Sequence, residues 1–162
     1  MPIVVESSVV VPVSPAVAFA VSQTTGAVRM RWDPFIRSQR FLDGAVLPAK
    51  GVQTLTVHRL GFRMVSEYVS YRAPSNVGMK MITGSWFFER LAAGWRFDAV
   101  EGDPNSTRAS WRYNFACRPA WLAPLEERIG RIVLQRDIDR RIAGFARGCE
   151  DPFVLEAVAG TH

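Results

Sequence analysis

The feature that most constrains the fold is a long helical stretch near the end of the chain, residues 119–150, which follows a series of strand-like segments. Its sequence is PAWLAPLEERIGRIVLQRDIDRRIAGFARGCE, and it is the only run with the length and regularity of a major helix. A single long helix needs a sheet on which to bury its apolar side chains. We therefore expect an α+β, helix-grip architecture in which one curved antiparallel sheet holds this helix.

Seven segments before this helix have the composition of strands, mostly with hairpin-length connections, which predicts an antiparallel sheet. They are residues 3–11, 36–42, 52–60, 62–72, 79–91, 95–100 and 107–118. The fifth segment is predicted as a strand with a bulge at Gly84. A tight connection is expected at Ala93-Gly94, before the sixth segment.

Two short helices are predicted between the first two strands. Ser14 followed by Pro15 is a typical helix start, with the hydroxyl as the N-cap and proline at the first helical position. Residues 27–32 are expected to add a second helical piece, which ends at Asp33-Pro34. These helices bridge the first and second strands.

The length of 162 residues predicts one domain, residues 1–162, with a sizeable core. No apolar run approaches the roughly 20 residues that span a bilayer. The opening MPIVVESSVVVPVSP has no basic region and includes Glu6, unlike a signal peptide. We therefore expect a cytoplasmic protein without a membrane span.

The net charge of +5 raises the question of a nucleic-acid partner. The arginines concentrated in the final segment are Arg128, Arg131, Arg136, Arg140, Arg141 and Arg147. Acidic residues such as Glu127, Asp137 and Asp139 are interleaved with them. This pattern is typical of a solvated, salt-bridged helix face, so we predict no nucleic-acid partner.

Neither a metal nor a cofactor is expected. The chain has two cysteines and two histidines, and their spacing does not match a standard zinc site. It also has no glycine-rich loop of the kind that holds phosphates or dinucleotides. His58 is best interpreted as an ordinary strand residue, because no carboxylate is locally placed to orient it.

The last two strands have one aromatic face and one charged face. Trp95 and Phe97 alternate with charged residues on one strand, and Trp111, Tyr113 and Phe115 do so on the next. The aromatic face should point inward. Two interpretations stay open, because a solid core and the wall of a ligand cavity have the same sequence pattern.

The order of elements resembles the START-like, or helix-grip (SRPBCC), superfamily, and within it the polyketide cyclase/dehydrase group. The opening VVVPVSPAVAFAVS is similar to its first strand and proline-capped helix, and Trp32-Asp33-Pro34 to its tryptophan-proline element. The resemblance implies a cavity for a hydrophobic small molecule, such as a lipid, polyketide or aromatic, between the sheet and the C-terminal helix. The candidates for its lining are Trp32, Trp95, Phe97, Trp111, Tyr113 and Phe115.

The stretch YVSYRAP, residues 68–74, resembles a strand of the aromatase/cyclases whose tryptophan, serine and arginine point into the pocket. Tyr68, Ser70 and Arg72 stand at those three positions. The alternative to simple binding is therefore a cyclase-type enzyme in which Arg72 stabilises an enolate and the two hydroxyl groups position the substrate. Hydrophobicity alone favours the opposite, valine-bearing face of residues 63–72 as the inner one, and we follow the resemblance.

The final segment has two apolar stripes that lie nearly opposite each other on a helix. One contains Leu125 and Ile129, and the second begins at Leu134, just after Gly130. One straight helix cannot bury both stripes on one sheet. We predict that residues 134–149 grip the sheet, and that residues 121–133 either bend over the pocket mouth or form a homodimer contact.

Overall fold

The structure, a computed structural model, describes residues 2–118, 121 and 123–160. Strands precede and follow a pair of short helices, and a long helix comes after the last strand. The elements are β1 (Ile3–Val11), α1 (Pro15–Ser22), α2 (Gly26–Trp32), β2 (Ile36–Phe41), β3 (Gln53–His58), β4 (Arg63–Arg72), β5 (Asn76–Thr83), β6 (Phe88–Val100), β7 (Asp103–Cys117), α3 (Ala123–Gly148) and α4 (Pro152–Val158).

The strands form one seven-stranded antiparallel sheet in the order β1-β7-β6-β5-β4-β3-β2. The sheet is a curled half-barrel, and α3 packs against β1 and β7 within it. This confirms the predicted α+β helix-grip architecture. The predicted pair of short helices is also confirmed, and the Ser14 hydroxyl accepts a hydrogen bond of 3.4 Å from Val17 N at the start of α1. In the described residues, no helix is long and apolar enough to cross a membrane.

The boundary between β5 and β6 differs from the prediction. β5 ends at Thr83, and β6 runs without a turn through Ala93-Gly94, where a tight connection was expected. Gly94 pairs with Gly78 across the two strands, and a Cβ atom on Gly94 would lie 2.9 Å from the carbonyl oxygen of Val77. Gly94 therefore permits a close approach of two strands, and it does not mark a turn.

Helix α3 is continuous through Gly130, where the sequence suggested a weak point. A Cβ atom on Gly130 would lie 3.3 Å from Cε2 of Phe115, so this glycine lets the helix approach the sheet. The second half of α3 grips the sheet as predicted, with Ile138 and Phe145 fully buried. In the earlier stripe, Leu125, Ile129, Ile132 and Val133 are half or more exposed. Residue 122 of that stripe lies outside the described residues.

Helix α3 also fits closely against Trp32 at the end of α2. A Cβ atom on Gly144 would collide with the carbonyl oxygen of Trp32 and lie 2.9 Å from Cδ of Pro34. A Cβ atom on Gly148, one turn later, would lie 2.8 Å from the Trp32 Cβ. The two glycines therefore form a shallow groove on α3 that receives Trp32 and fixes where α2 meets α3.

We expect Gly144→Ala to destabilise the protein by about 1–3 kcal/mol through overpacking. Helix propensity alone predicts the opposite sign, a gain of about 1 kcal/mol for Gly→Ala inside a helix. Urea unfolding monitored by tryptophan fluorescence measures the difference. The sign of the change therefore separates the steric effect from propensity.

The matched control is Gly130→Ala on the same helix. Its added methyl group meets the edge of a side-chain ring at 3.3 Å instead of a backbone carbonyl. We expect a smaller loss of stability than for Gly144→Ala. Equal or greater stability of the Gly144→Ala protein would contradict the close contact with Trp32.

Candidate functional site

A small cavity of about 60 Å³ lies between the concave face of the sheet and helix α3. Its apolar wall comes from the sheet and includes methionine, leucine, valine and tryptophan side chains. Its polar groups come from α1, α2, α3 and the facing strands. The lining residues are Ser22, Gln23, Thr24, Thr25, Arg29, Phe35, Gln39, Thr56, Met64, Ser66, Tyr68, Val77, Met79, Lys80, Met81, Leu91, Ala93, Trp95, Trp111, Tyr113 and Arg141.

A cleft of about 220 Å³ adjoins the cavity beneath the middle of α3. The two spaces share the side chains of Phe35, Thr56, Met64, Met81, Leu91 and Tyr113. The cleft opens at the surface beside the exposed side chains of Leu60 and Phe62. A molecule that extends from the cavity into the cleft would therefore have a route to the solvent.

Three of the six predicted lining residues, Trp95, Trp111 and Tyr113, do line the cavity. The other three belong to the packed core. Phe97 lies against Phe19 and Phe145, with ring centroids 5.8 and 6.1 Å away. The ring of Phe115 contacts that of Phe88 at 5.9 Å. Trp32 occupies the groove on α3 and contacts Phe145 at 5.5 Å.

Strand β4 places only part of its predicted site in the cavity. Tyr68 lines the cavity, together with Met64 and Ser66 of the same face. The pairing with β5 then shifts register between Tyr68 and Ser70. Beyond this irregularity Arg72 is exposed, and neither it nor Ser70 is a lining residue. The expectation that the Arg72 side chain points into the cavity is therefore wrong.

The charged groups at the cavity are two other arginines, Arg29 of α2 and Arg141 of α3, which share the carboxylate of Asp33. Asp33 Oδ2 accepts hydrogen bonds from Arg29 Nε at 2.8 Å and from Arg141 Nε and Nη2 at 3.1 and 2.9 Å. Asp33 Oδ1 accepts a bond of 3.0 Å from the backbone N–H of Phe35. The exposed fraction is 6% for each arginine side chain and 0% for Asp33. We call these three residues the Asp33 cluster.

Arg141 was expected on a solvated face of the helix, and that expectation is wrong. Its guanidinium lies over the rings of Trp111 and Phe35, at 4.4 and 5.1 Å from their centroids. The sequence separation between Asp33 and Arg141 is 108 residues, so no local pattern joins them. The only sequence signal was the position of Asp33 in the tryptophan-proline element that the family resemblance singled out.

The charges of the Asp33 cluster stabilise one another. Burial opposes ionisation of Asp33, but Arg141 and Arg29 outweigh it and hold the pKa of this carboxyl below its usual value. Burial also opposes the charge of Arg141, yet Asp33 and Tyr113 raise its pKa. Burial lowers the pKa of Arg29 despite its pair with Asp33. Arginine starts from so high a pKa that both guanidiniums stay charged at neutral pH.

Hydroxyl and N–H donors surround the cluster. Burial raises the pKa of Tyr68 to about 12 and raises that of Tyr113, so both phenols stay protonated at neutral pH. The Tyr68 hydroxyl donates to Gln23 Oε1 at 3.3 Å. The Trp111 indole N–H opposes the larger effect of burial on the pKa of Tyr113, but it makes no hydrogen bond of ordinary geometry within the described residues.

Other polar groups of the cavity are already paired. Gln39, which lies in β2, donates from Nε2 to Thr56 Oγ1 at 3.2 Å. Lys80 pairs with Glu67 at 3.3 Å. Within the described part of the chain, no three His, Cys, Asp or Glu side chains come together in a way that could hold a metal ion.

Comparisons with known proteins place this fold and cavity in a family. The family model described as polyketide cyclase/dehydrase and lipid transport matches residues 2–150. The chain therefore belongs to the polyketide cyclase/dehydrase and lipid transport family, a member of the START-like superfamily. No curated protein sequence matches the chain.

Several solved structures share the fold at low sequence identity. XoxI from Bacillus cereus has a TM-score of 0.71 at 10% identity, covering 91% of this chain and 96% of that protein. Ara h 8.0201 has a TM-score of 0.68 at 14% identity, with 93% and 100% covered. A START superfamily protein from Mycobacterium smegmatis has a TM-score of 0.65 at 12% identity, with 98% and 99% covered.

We expect Asp33→Asn to lower the free energy of unfolding by about 3–5 kcal/mol, because it leaves two buried guanidiniums without their carboxylate. Urea titration at pH 7 measures the loss. The ionised Asp33 stabilises the folded state above the pKa of about 3.9 that an unfolded aspartate has. This contribution disappears as the pH falls through the lower folded pKa, so the Asp33→Asn protein should lose less stability over that range.

Asp98→Asn is the matched control, because Asp98 pairs with Arg96 at 2.9 Å but both side chains are about half or more exposed, at 48% and 73%. Surface pairs of this kind contribute about 0–1 kcal/mol. Similar losses of stability in the two variants would show that the Asp33 cluster is no stronger than a surface pair.

Proposed function

We propose that this protein binds a small hydrophobic molecule in the cavity between the sheet and α3, with part of the molecule extending into the adjoining cleft. The single observation that carries the proposal is the space itself, which is lined by Trp95, Trp111, Met79 and Leu91 and adjoins the surface cleft. Protein interiors are normally packed to crystal-like density. A lined space of this kind is typical of a ligand site.

The chemistry of the wall favours an apolar, preferably aromatic, ligand. Burial of apolar surface contributes about 25 cal/mol per Å², and this applies to a ligand that displaces water from Met79, Met81 and Leu91. Trp95 and Trp111 offer ring faces, with centroids 4.9 Å apart. Aromatic groups gain further from such edge-to-face or offset contacts.

The enzymatic alternative rested on Arg72 as the group that stabilises an enolate. Arg72 is exposed and lies outside the cavity. Its position therefore does not support a role in stabilising an enolate. Tyr68 does line the cavity, where its protonated hydroxyl can donate a hydrogen bond. We therefore retain binding as the proposed function, and a cytoplasmic location as a prediction.

A homodimer through residues 121–133 is a second part of the proposal. The observation in its favour is an apolar stripe on α3 whose exposed fractions are 59% for Leu125, 52% for Ile129, 50% for Ile132 and 51% for Val133. A contiguous apolar patch of this kind is unusual on the surface of a monomer. A second copy of the same helix would present a matching apolar surface.

We expect Ala93→Phe to weaken ligand binding at least tenfold, because the new ring would occupy the cavity that Ala93 lines. The probe is the neutral dye 1-aminoanthracene, titrated by fluorescence. Its emission should rise on binding to the unsubstituted protein and rise much less with the variant. Native mass spectrometry of the purified protein tests for a small molecule that co-purifies with it.

The control is Ala92→Phe at the adjacent position of β6. Ala92 is exposed and pairs with Lys80, whereas Ala93 pairs with Met79 on the inner face. This variant should bind the dye normally. Equal losses in both variants, or no binding of the dye by the unsubstituted protein, would contradict the proposed site.

For the dimer, we expect Ile129→Asp to convert a dimer into a monomer, because a carboxylate at the centre of the stripe would be buried without a partner. Sedimentation velocity measures the mass. Val46→Asp is the control, since Val46 is 82% exposed in the loop between β2 and β3. A monomeric unsubstituted protein at high micromolar concentration would exclude the dimer.

A further inference from the structure

The charged side chains that line the cavity all have the same sign. They are Arg29 and Arg141, and no aspartate or glutamate is among the described lining residues. The Lys80 side chain is half exposed and pairs with Glu67, which does not line the cavity. Asp33 lies behind the two arginines and does not line the cavity. A ligand in the cavity therefore meets cationic groups and does not meet the carboxylate that they share.

The Asp33 cluster has one positive charge that its own members do not neutralise. Two guanidiniums contribute +2 and the carboxylate contributes −1. One helical turn before Arg141 lies Asp137, which lines the outer cleft, but among the described residues Arg141 forms ion pairs only with Asp33. A buried charge without a counter-charge is costly, because it loses its hydration.

The donors of the cluster are only partly used. Arg29 donates from Nε to Asp33 and from Nη1 to the carbonyl oxygen of Ser22, which leaves Nη2 without a hydrogen-bond partner among the described residues. The Trp111 side chain also lines the cavity, and its buried N–H has no partner of ordinary geometry there. A guanidinium N–H and an indole N–H are both available for an oxygen acceptor.

The aromatic groups beside these donors can hold a flat apolar body. The guanidinium of Arg141 lies 4.4 Å from the Trp111 ring, and the ring of Trp95 lies 4.9 Å from it. Tyr113, whose pKa is raised by burial, stays protonated at neutral pH and lies 5.5 Å from Trp111 between ring centroids. The polar end and the apolar wall of the cavity therefore meet at Trp111.

We propose that the ligand is a flat apolar carboxylic acid whose carboxylate binds at the Asp33 cluster and whose body lies against Trp95 and Trp111. This inference rests on the proposed function and specifies the chemistry of its ligand. The carboxylate supplies the missing negative charge and accepts hydrogen bonds from the arginine and indole donors. The outer cleft then accommodates the end of the molecule that is remote from the carboxylate.

The first test compares two probes of the same shape, 2-naphthoate and its neutral amide, 2-naphthamide, by isothermal titration calorimetry at pH 7. We expect naphthoate to bind at least tenfold more tightly. Equal or weaker binding of naphthoate would overturn this inference while the proposed binding function stands. If neither probe binds, and 1-aminoanthracene does not bind either, both the proposed function and this inference fail.

The second test changes the charge of the cluster in opposite directions. Asp33→Asn raises its net charge from +1 to +2, so the preference for naphthoate over naphthamide should increase although the fold is less stable. Arg29→Gln lowers the net charge to 0, and the preference should decrease. The affinity for naphthamide should change little in both variants, which separates an electrostatic effect from a general distortion of the cavity.

Arg96→Gln is the control, because Arg96 is an exposed arginine that pairs with Asp98 and does not line the cavity. Its naphthoate preference should equal that of the unsubstituted protein. Equal preferences in the Asp33→Asn, Arg29→Gln and Arg96→Gln proteins would overturn the inference. If either cluster variant fails to fold, the comparison of the two probes on the unsubstituted protein still decides it.

Discussion

The carboxylate of Asp33 is the point on which the arrangement of helices depends. It lies directly after α2 and joins Arg29 of that helix to Arg141 of α3, and the three side chains are almost completely buried. A buried charge without a counter-charge costs several kcal/mol of stability, so the carboxylate and the two guanidiniums each depend on the presence of the others. The groove formed by Gly144 and Gly148 supports the same contact by receiving Trp32, which precedes Asp33. The position of α3 over the sheet, and with it the shape of the cavity, follows from this junction.

Different elements supply the apolar and the charged side chains of the cavity. The sheet supplies apolar and aromatic surface, whereas the charges come from the two helices that meet at Asp33. In the proposed binding mode, α2 and α3 therefore contact the polar end of the ligand, and the inner face of the sheet contacts its apolar end.

The sequence predicted the strands best where inward-facing and outward-facing residues alternate without interruption. In β7, Thr107, Trp111 and Tyr113 are all buried, as period-two alternation requires. Prediction failed where the backbone departs from regular pairing. The register shift after Tyr68 turns Arg72 away from the cavity. No residue type in that stretch predicts such a shift.

Glycine was the second source of error, because a glycine in a sequence can mark either a break in an element or a close approach of two elements. Gly94 and Gly130 were interpreted as a turn and a weak point. Gly94 instead allows two strands to approach closely, and Gly130 allows α3 to approach the Phe115 ring of the sheet. The Asp33 cluster could not be predicted for a different reason. Its members are far apart in the chain, and Arg141 has the same local surroundings in sequence as the solvated arginines beside it. Only the folded arrangement distinguishes them.

The pairing of β1 with β7 has a consequence for how this chain acquires its structure. Strands β2 to β7 follow one another as successive neighbours, so each can pair soon after it is synthesised. The pairing of β1 occurs later, because Ile3 pairs with Phe115 and the intervening chain must be synthesised first. Such distant pairing carries a larger loss of chain entropy than a local hairpin. On a ribosome, the apolar first strand would therefore emerge early and remain without its partner until nearly the entire sheet had been made.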